Sequence, residues 1–441
     1  MRKRSGIVWL IALVMVLVLT ACTSNKTTSP SPGNSPGSSD PTGEPTVDYA
    51  NMKAEVTFTT IFSDDEFNEN IGNYVRAKFP NYTINHFSQR NHSLEELLTA
   101  GTPFDIYFGR ANSIINTYAP VGLAYDMKDL VAKHGIDLEA FEPGFVESGM
   151  FDGKLYALPI FNDSLVLFYN RDLFDRFGVE YPRDGMTWDE VFELAKKLDR
   201  VENGVQYMGL WMSPKHYFRM NSLSQGFIDP ETNKVTVDNE NWKRIFELFA
   251  KMSENPGVRN AAKENFPSHD HFRGGSPVVG MYVFLTEWIA VSQTQMPSLN
   301  WDMVSMPTFS DLPGVGTQPY ANYAGITSTS KNKDAAAQVL KYLVSEEYQM
   351  EVSKKGKLTP LKSQNVKDVA FANHPEQDKN FGAVYVNANA PLRQMHQLED
   401  KVVDILNEKV TLLVKGEKDI NTLLREAQEE AQAIIDSELA K

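Results

Sequence analysis

Six residues constrain this fold more than any others. Ser164, Leu165, Val166, Leu167, Phe168 and Tyr169 form a mostly apolar run with no polar alternation. That is the length and composition of a strand covered on both faces. Upstream, Gly153 and Lys154 read as the tip of a turn, and Leu155 to Leu158 as a short strand ended by Pro159. Downstream, Asn170 is a helix-start signal, with Leu173, Phe174 and Phe177 spaced for one helical face. Asp163 stands in the gap before the apolar run. A carboxylate at the mouth of a buried strand is either solvated or aimed at something.

The N-terminal half sets this stretch in an α/β context. Residues 55–62 alternate as a strand, and Phe67, Ile71, Tyr74, Val75 and Phe79 then mark one helical face, stopped by Pro80. Residues 82–87 form a second strand, Ser93 and Glu96 a capping box, and residues 104–108 a third strand. This β-α-β-α-β order predicts a parallel sheet with helices on both faces. Ligands bind such sheets outside the carboxyl ends of the strands, which points at the loops 63–66 and 109–112. Asp64, Asp65 and Glu66 in the first loop fit ligand groups and also fit acids placed at the positive end of the next helix.

Further on, Thr187 and Glu190 make a second capping box, and residues 206–211 and 278–284 read as strands. Residues 324–330 form another strand, followed by a helix over 334–343. About 400 residues exceed a single core and imply two lobes. With 57 acidic residues against 43 basic ones and no basic stripe, nucleic acid is excluded as a partner. Residues 229–240 place oxygen-bearing side chains near the positions of a calcium loop, but Lys234 stands where such a loop needs glycine, so a hairpin tip fits better. His269 and His271 lack a third ligand at motif spacing and read as a solvated loop. No metal or cofactor is expected.

Arg2, Lys3 and Arg4 precede an apolar run from Ile7 to Leu19, too short to span a bilayer and suited to a secretory signal. The run ends Leu19-Thr20-Ala21-Cys22, and Cys22 is the only cysteine, so no internal disulfide forms. Residues 23–48 are nearly all Ser, Thr, Pro and Gly and cannot offset their ordering entropy by burial.

The motif Gly153-Lys154-Leu155-Tyr156-Ala157-Leu158-Pro159, followed by Leu167-Phe168-Tyr169-Asn170-Arg171-Asp172-Leu173, resembles the extracellular solute-binding proteins of ABC sugar importers, the maltose-binding-protein-like group. Thr187-Trp188-Asp189-Glu190 and Lys331-Asn332-Lys333-Asp334-Ala335-Ala336 extend the likeness collinearly over residues 54–440. Phe161 and Arg176 depart from the pattern, and Gly109 stands where maltose-binding relatives carry a Trp.

The resemblance implies a two-lobed, Venus-flytrap fold. Residues 1–21 would be a lipoprotein signal peptide with Cys22 acylated, and 22–48 a disordered tether. Residues 49–159 and 308–357 would form lobe one, and 160–307 and 358–441 lobe two. The implied function is a monomeric, lipid-anchored carbohydrate receptor on the outer face of a Gram-positive-type cell membrane. It would deliver an oligosaccharide to an ABC permease by hinge closure. Asp163 would take vicinal hydroxyls, while Arg110, Asn112, Asp64, Asp65 and Glu66 hold polar edges. Trp211, Tyr217 and Trp288 would cover apolar sugar faces, with Tyr323 and Arg393 as further cleft candidates. Two other classes use the same residues: a glycosidase working through Asp163 and Asp65 or Glu66, and a ligand-sensing partner of a membrane kinase.

Overall fold

The computed structural model describes residues 48–440 except 50, 265 and 266. The expected signal segment, nearly all of the expected tether and Cys22 lie outside the described residues. Along the chain, β1 (Ala54–Thr60), β2 (Tyr82–Ser88) and β3 (Ile106–Arg110) precede a small hairpin of β4 (Met150–Phe151) and β5 (Lys154–Leu155). Next come β6 (Leu158–Phe161), β7 (Leu165–Asn170), β8 (Arg200–Glu202) and β9 (Val205–Met212). A second hairpin, β10 (Ile228–Asp229) and β11 (Lys234–Val235), is followed by β12 (Val279–Leu285), β13 (Trp301–Val304) and β14 (Asn322–Ile326). Two five-stranded sheets result, ordered β2-β1-β3-β14-β6 and β13-β7-β12-β9-β8, each with its own apolar core.

Strand direction follows from how the chain changes lobes. β1, β2 and β3 are parallel, and β14 runs antiparallel to β3 and β6. In the second sheet β9 and β12 are parallel, while β7 runs against both β12 and β13. β7 and β14 are the strands that enter a lobe from the other one. Each starts at the edge where its neighbours end: Asn322 pairs with Arg110, the last residue of β3, and Leu165 with Leu285, the last of β12. The second sheet is therefore mixed rather than mainly parallel. All six residues of β7 are buried, as a strand covered on both faces must be.

Three boundaries differ from the sequence reading. The strand does not end at Pro159: pairing breaks after Leu155, resumes at Leu158 and runs through Pro159 to Phe161. Proline lacks an N–H, and β6 accommodates it as an edge strand with one side unpaired. The first crossing therefore lies at 162–164, after β6, not before residue 160. On the way back, Thr308 pairs with Thr187 and the Gln318 N–H donates to the Met220 carbonyl, so the chain stays on lobe two until about residue 319 rather than leaving at 307. At the third crossing Leu358 bridges Asn162 and Leu361 bridges Phe141, so the chain still runs along lobe one past residue 358.

Both expected capping boxes form: Ser93 with Glu96, and Thr187 with Glu190. The helix that the second one starts, Trp188–Leu198, lies directly on β9 at Gly209, where an added Cβ would sit 2.1 Å from the Ala195 carbonyl oxygen. The Gly209 N–H donates to Asp199 Oδ1 at 2.6 Å, tying the helix end to the strand. Gly209→Ala must push helix and sheet apart, at a cost of about 1–3 kcal/mol or more. Thermal unfolding checks this, and a midpoint equal to wild type would contradict the contact.

Candidate functional site

Both lobes turn strand ends toward a shared groove, and the first two crossings meet beneath it. Arg110, at the end of β3, reaches both. Its Nη1 donates to the Tyr320 carbonyl at 2.6 Å and its Nη2 to Asp163 Oδ2 at 2.7 Å. The guanidinium also lies over the Tyr320 ring, 4.3 Å from the centroid. The Asp163 N–H donates to the same Tyr320 carbonyl at 3.2 Å. Burial opposes the Arg110 charge, but Asp163 and then Tyr320 outweigh it and raise its pKa further.

This arrangement corrects two expectations. Asp163 and Arg110 are not free to hold sugar hydroxyls, because their side chains are only 10% and 15% exposed and bind each other. A carboxylate beside this pair that does face the groove is Glu287, whose side chain is 46% exposed and whose Oε2 lies 3.8 Å from Arg110 Nη2. Burial and then the Asp163 charge push the Glu287 carboxyl above its ordinary pKa, against the pull of Arg110, Lys357 and Arg273. The sequence reading passed over Glu287, although it stands in the Thr286-Glu287-Trp288 step directly after a fully buried strand.

Asn112 faces the opposite lobe. Its amide donates to Asp400 Oδ2 at 3.0 Å, and Asn116 does so at 3.1 Å. On the second lobe's own side, Arg219 donates to Asp400 Oδ1 at 2.8 Å. Burial disfavours the charged carboxylate, but Arg219 and the two asparagines overcome that and lower its pKa. Asp400 and Arg219 carry no family signature and were not foreseen.

The acids after β1 divide. Glu66 completes a capping box with Ser63, pairs with Arg90 at 2.9 Å and lines the groove. Asp64 binds His86 at 2.7 Å, and Asp65 faces a separate surface groove beside Asn68, Tyr74 and Lys355. All three occupy the first helical turn, where the helix field favours acids.

Four aromatic or cationic candidates are occupied elsewhere. Trp211 and Tyr217 are fully buried in the second lobe's core, the first against Phe249 and the second edge-on to Trp188. The covering helix, Glu240–Met252, is remote in sequence, so strand position alone could not reveal it. Tyr323 lies in the first lobe's core with its hydroxyl donating to the Phe145 carbonyl at 2.9 Å. Arg393 forms a two-pronged pair with Glu399, at 2.6 and 2.9 Å, over the Phe227 ring. Trp288 does edge the groove, but it is 2% exposed and lies among Phe168, Phe272, Phe284 and His269, with Arg273 over its ring. His269 thus belongs to an aromatic cluster, not a solvated loop. Burial, helped by nearby arginines, lowers the pKa of both His269 and His216 to about 4, so both are neutral near pH 7. The first part of the 229–240 segment turns the second hairpin, with Asp229 Oδ1 accepting from the Glu231 and Thr232 amides, and Glu240 opens a helix.

Two cavities flank the floor. One of about 360 Å³ lies between 61–70, Arg90 and 352–357 on the first lobe and 269–295 on the second. The other, about 1770 Å³, lies between 142–153 and the 384–397 loop, and Asn162 and Ser164 line it while Asp163 turns to Arg110. Arg110→Met would leave Asp163 buried without its partner, a loss of about 3–5 kcal/mol. Adding Asp163→Leu should recover much of it. Chemical unfolding of the two single variants and the double variant measures the coupling, and additive losses would contradict a buried pair.

Residues 65–379 match the bacterial extracellular solute-binding proteins. A binding protein of Brucella abortus is 24% identical over 305 residues, 66% of this chain and 70% of its own. The sn-glycerol-3-phosphate-binding periplasmic protein UgpB of Rhizobium meliloti is 20% identical over 344 residues, 72% of this chain and 77% of its own. Among solved structures, an ABC substrate-binding protein from Listeria monocytogenes in complex with cycloalternan superposes with a TM-score of 0.68. It is 18% identical and covers 87% of this chain and 100% of its own.

Proposed function

The chain belongs to the bacterial extracellular solute-binding protein family, and on that premise we propose that it is a carbohydrate receptor delivering an oligosaccharide to an ABC permease. The observation that carries this reading is the hinge floor, where one side chain of lobe one pins both crossings beneath a groove with polar and aromatic walls. The likeness to a cycloalternan-bound protein supports the choice of a sugar. Glu287 and Glu66 are the outward-facing acceptors for sugar hydroxyls, and a carboxylate makes charge-assisted bonds to such donors. Asn112 and Asn116 on one lobe and Asp400 on the other are the groups that closure brings together. A ligand bridging the lobes shifts the open and closed populations by its differential affinity for the two.

In this reading Cys22 carries the lipid, residues 22–48 are the leash, and the permease docks across both lobes of a monomer on the outer membrane face. The glycosidase alternative loses its central group, because the Asp163 carboxylate is committed to Arg110. A sensing partnership with a membrane kinase would use the same closure. UgpB is named for a polyol phosphate, so such compounds belong in the same ligand panel.

Thermal unfolding of the purified protein against mono- and oligosaccharides tests the proposal. A ligand at a hundredfold excess over its dissociation constant adds about 2.7 kcal/mol of stability. One sugar should raise the midpoint, and Glu287→Ala should weaken its binding at least tenfold without lowering the midpoint of the free protein. A panel with no hit would contradict the carbohydrate reading.

A further inference from the structure

The charges of the smaller cavity do not balance, and the cations left over are not those singled out from the sequence. Arg110 and Arg393, the two arginines first considered for a charged ligand, are each neutralised by a buried carboxylate, Asp163 and Glu399. The cavity itself is lined by Arg90, Arg273, Lys355 and Lys357 against Glu66, Glu69 and Glu287. Arg90 and Glu66 close on each other. Glu287 lies 3.8 Å from Arg110, which Asp163 already pairs, and Glu69 is exposed at the rim.

Four lining cations thus face three carboxylates. Lys357 and Arg273 act on Glu287 through the field, yet Arg273, Lys355 and Lys357 form no direct ion pair among the described residues. Each is held by an aromatic ring instead: Arg273 over Trp288 at 5.2 Å, Lys355 over Tyr74 at 5.1 Å and Lys357 over Phe161 at 5.6 Å. Ring faces fix a cation's position while leaving its N–H donors for another acceptor. Arg273 also donates to Gln295 Oε1, which holds one arm of its guanidinium. The histidine in this wall, His269, is neutral and adds no charge. A cavity with surplus positive charge is unusual in a chain whose net charge is −14.

We propose that the cavity bounded by Arg273, Lys355 and Lys357 receives an anionic group of the ligand, a carboxylate or a phosphate carried on a sugar or polyol. The cations come from both lobes, Lys355 and Lys357 from the first and Arg273 from the second, so an anion between them is contacted by both walls. The apolar edges of Ile61, Phe62 and Phe284 in the same cavity suit the carbon skeleton that bears the charge. The proposal rests on the carbohydrate-receptor reading and narrows it to acidic ligands.

Isothermal titration of the purified protein with matched probes tests this. The set is a neutral digalactoside, digalacturonate, glucose 6-phosphate and sn-glycerol 3-phosphate. An anionic probe should bind at least tenfold more tightly than the neutral one, and its affinity should fall as salt rises. Lys357→Gln and Arg273→Gln should each erase most of that preference while keeping the wild-type unfolding midpoint within a few degrees. Digalacturonate and the two phosphates separate a carboxylate from a phosphate as the natural anion. Equal affinity for neutral and acidic sugars would overturn the proposal and leave the carbohydrate reading intact. A preference that survives both substitutions would overturn it too. Failure of every probe, neutral and anionic, would count against both.

Discussion

One buried ion pair holds the architecture in register. Arg110 closes β3 of the first lobe and binds Asp163 on the outgoing crossing and the Tyr320 carbonyl on the returning one. Those partners are 53 and 210 residues away in sequence, so one guanidinium fixes where two crossing segments leave and re-enter a sheet. Desolvation of both groups opposes the pair, and the arginine offsets it by finding a carboxylate, a carbonyl and a ring face together. Breaking one partner would leave the other charged and buried. The two separately packed cores thus share a fixed point between them.

Above that fixed point, the groups that face each other across the lobes are polar and replaceable. Asn112 and Asn116 meet Asp400, whose charge is kept by Arg219 on its own lobe. Amide-to-carboxylate contacts of this kind exchange readily for water or for ligand hydroxyls, because either side stays satisfied when they part. The contrast between a buried, fully used pair below and exchangeable contacts above suits the closure proposed for a binding groove. Glu287 sits between the two regimes, close enough to Arg110 to be oriented and open enough to meet a ligand.

Much of the fold was legible because the local signals agreed with one another. The apolar run at β7, the two capping boxes and the βαβ order in the first lobe all pointed to buried strands between helices. The site was less legible, for a physical reason. Trp211, Tyr217 and Tyr323 have the size and polarity of sugar platforms, yet each occupies a core position covered by an element far away in the chain. Periodicity reports which face a side chain is on, not what covers that face. The same blindness hid the partner of Asp163, 53 residues away, whereas Glu399 stands only six residues beyond Arg393. Glu287 is visible in the sequence as a charge two residues after an unbroken apolar strand. Pro159 misled through its usual role as a strand breaker, which an edge strand does not enforce.

The central claim is that two rigid lobes turn about the Arg110 floor and close on a ligand. Small-angle X-ray scattering of the protein with and without a ligand known to bind tests that claim most directly. The expected result is a smaller radius of gyration at saturation, with each lobe's internal structure unchanged. Scattering curves that superpose with and without a bound ligand would contradict it.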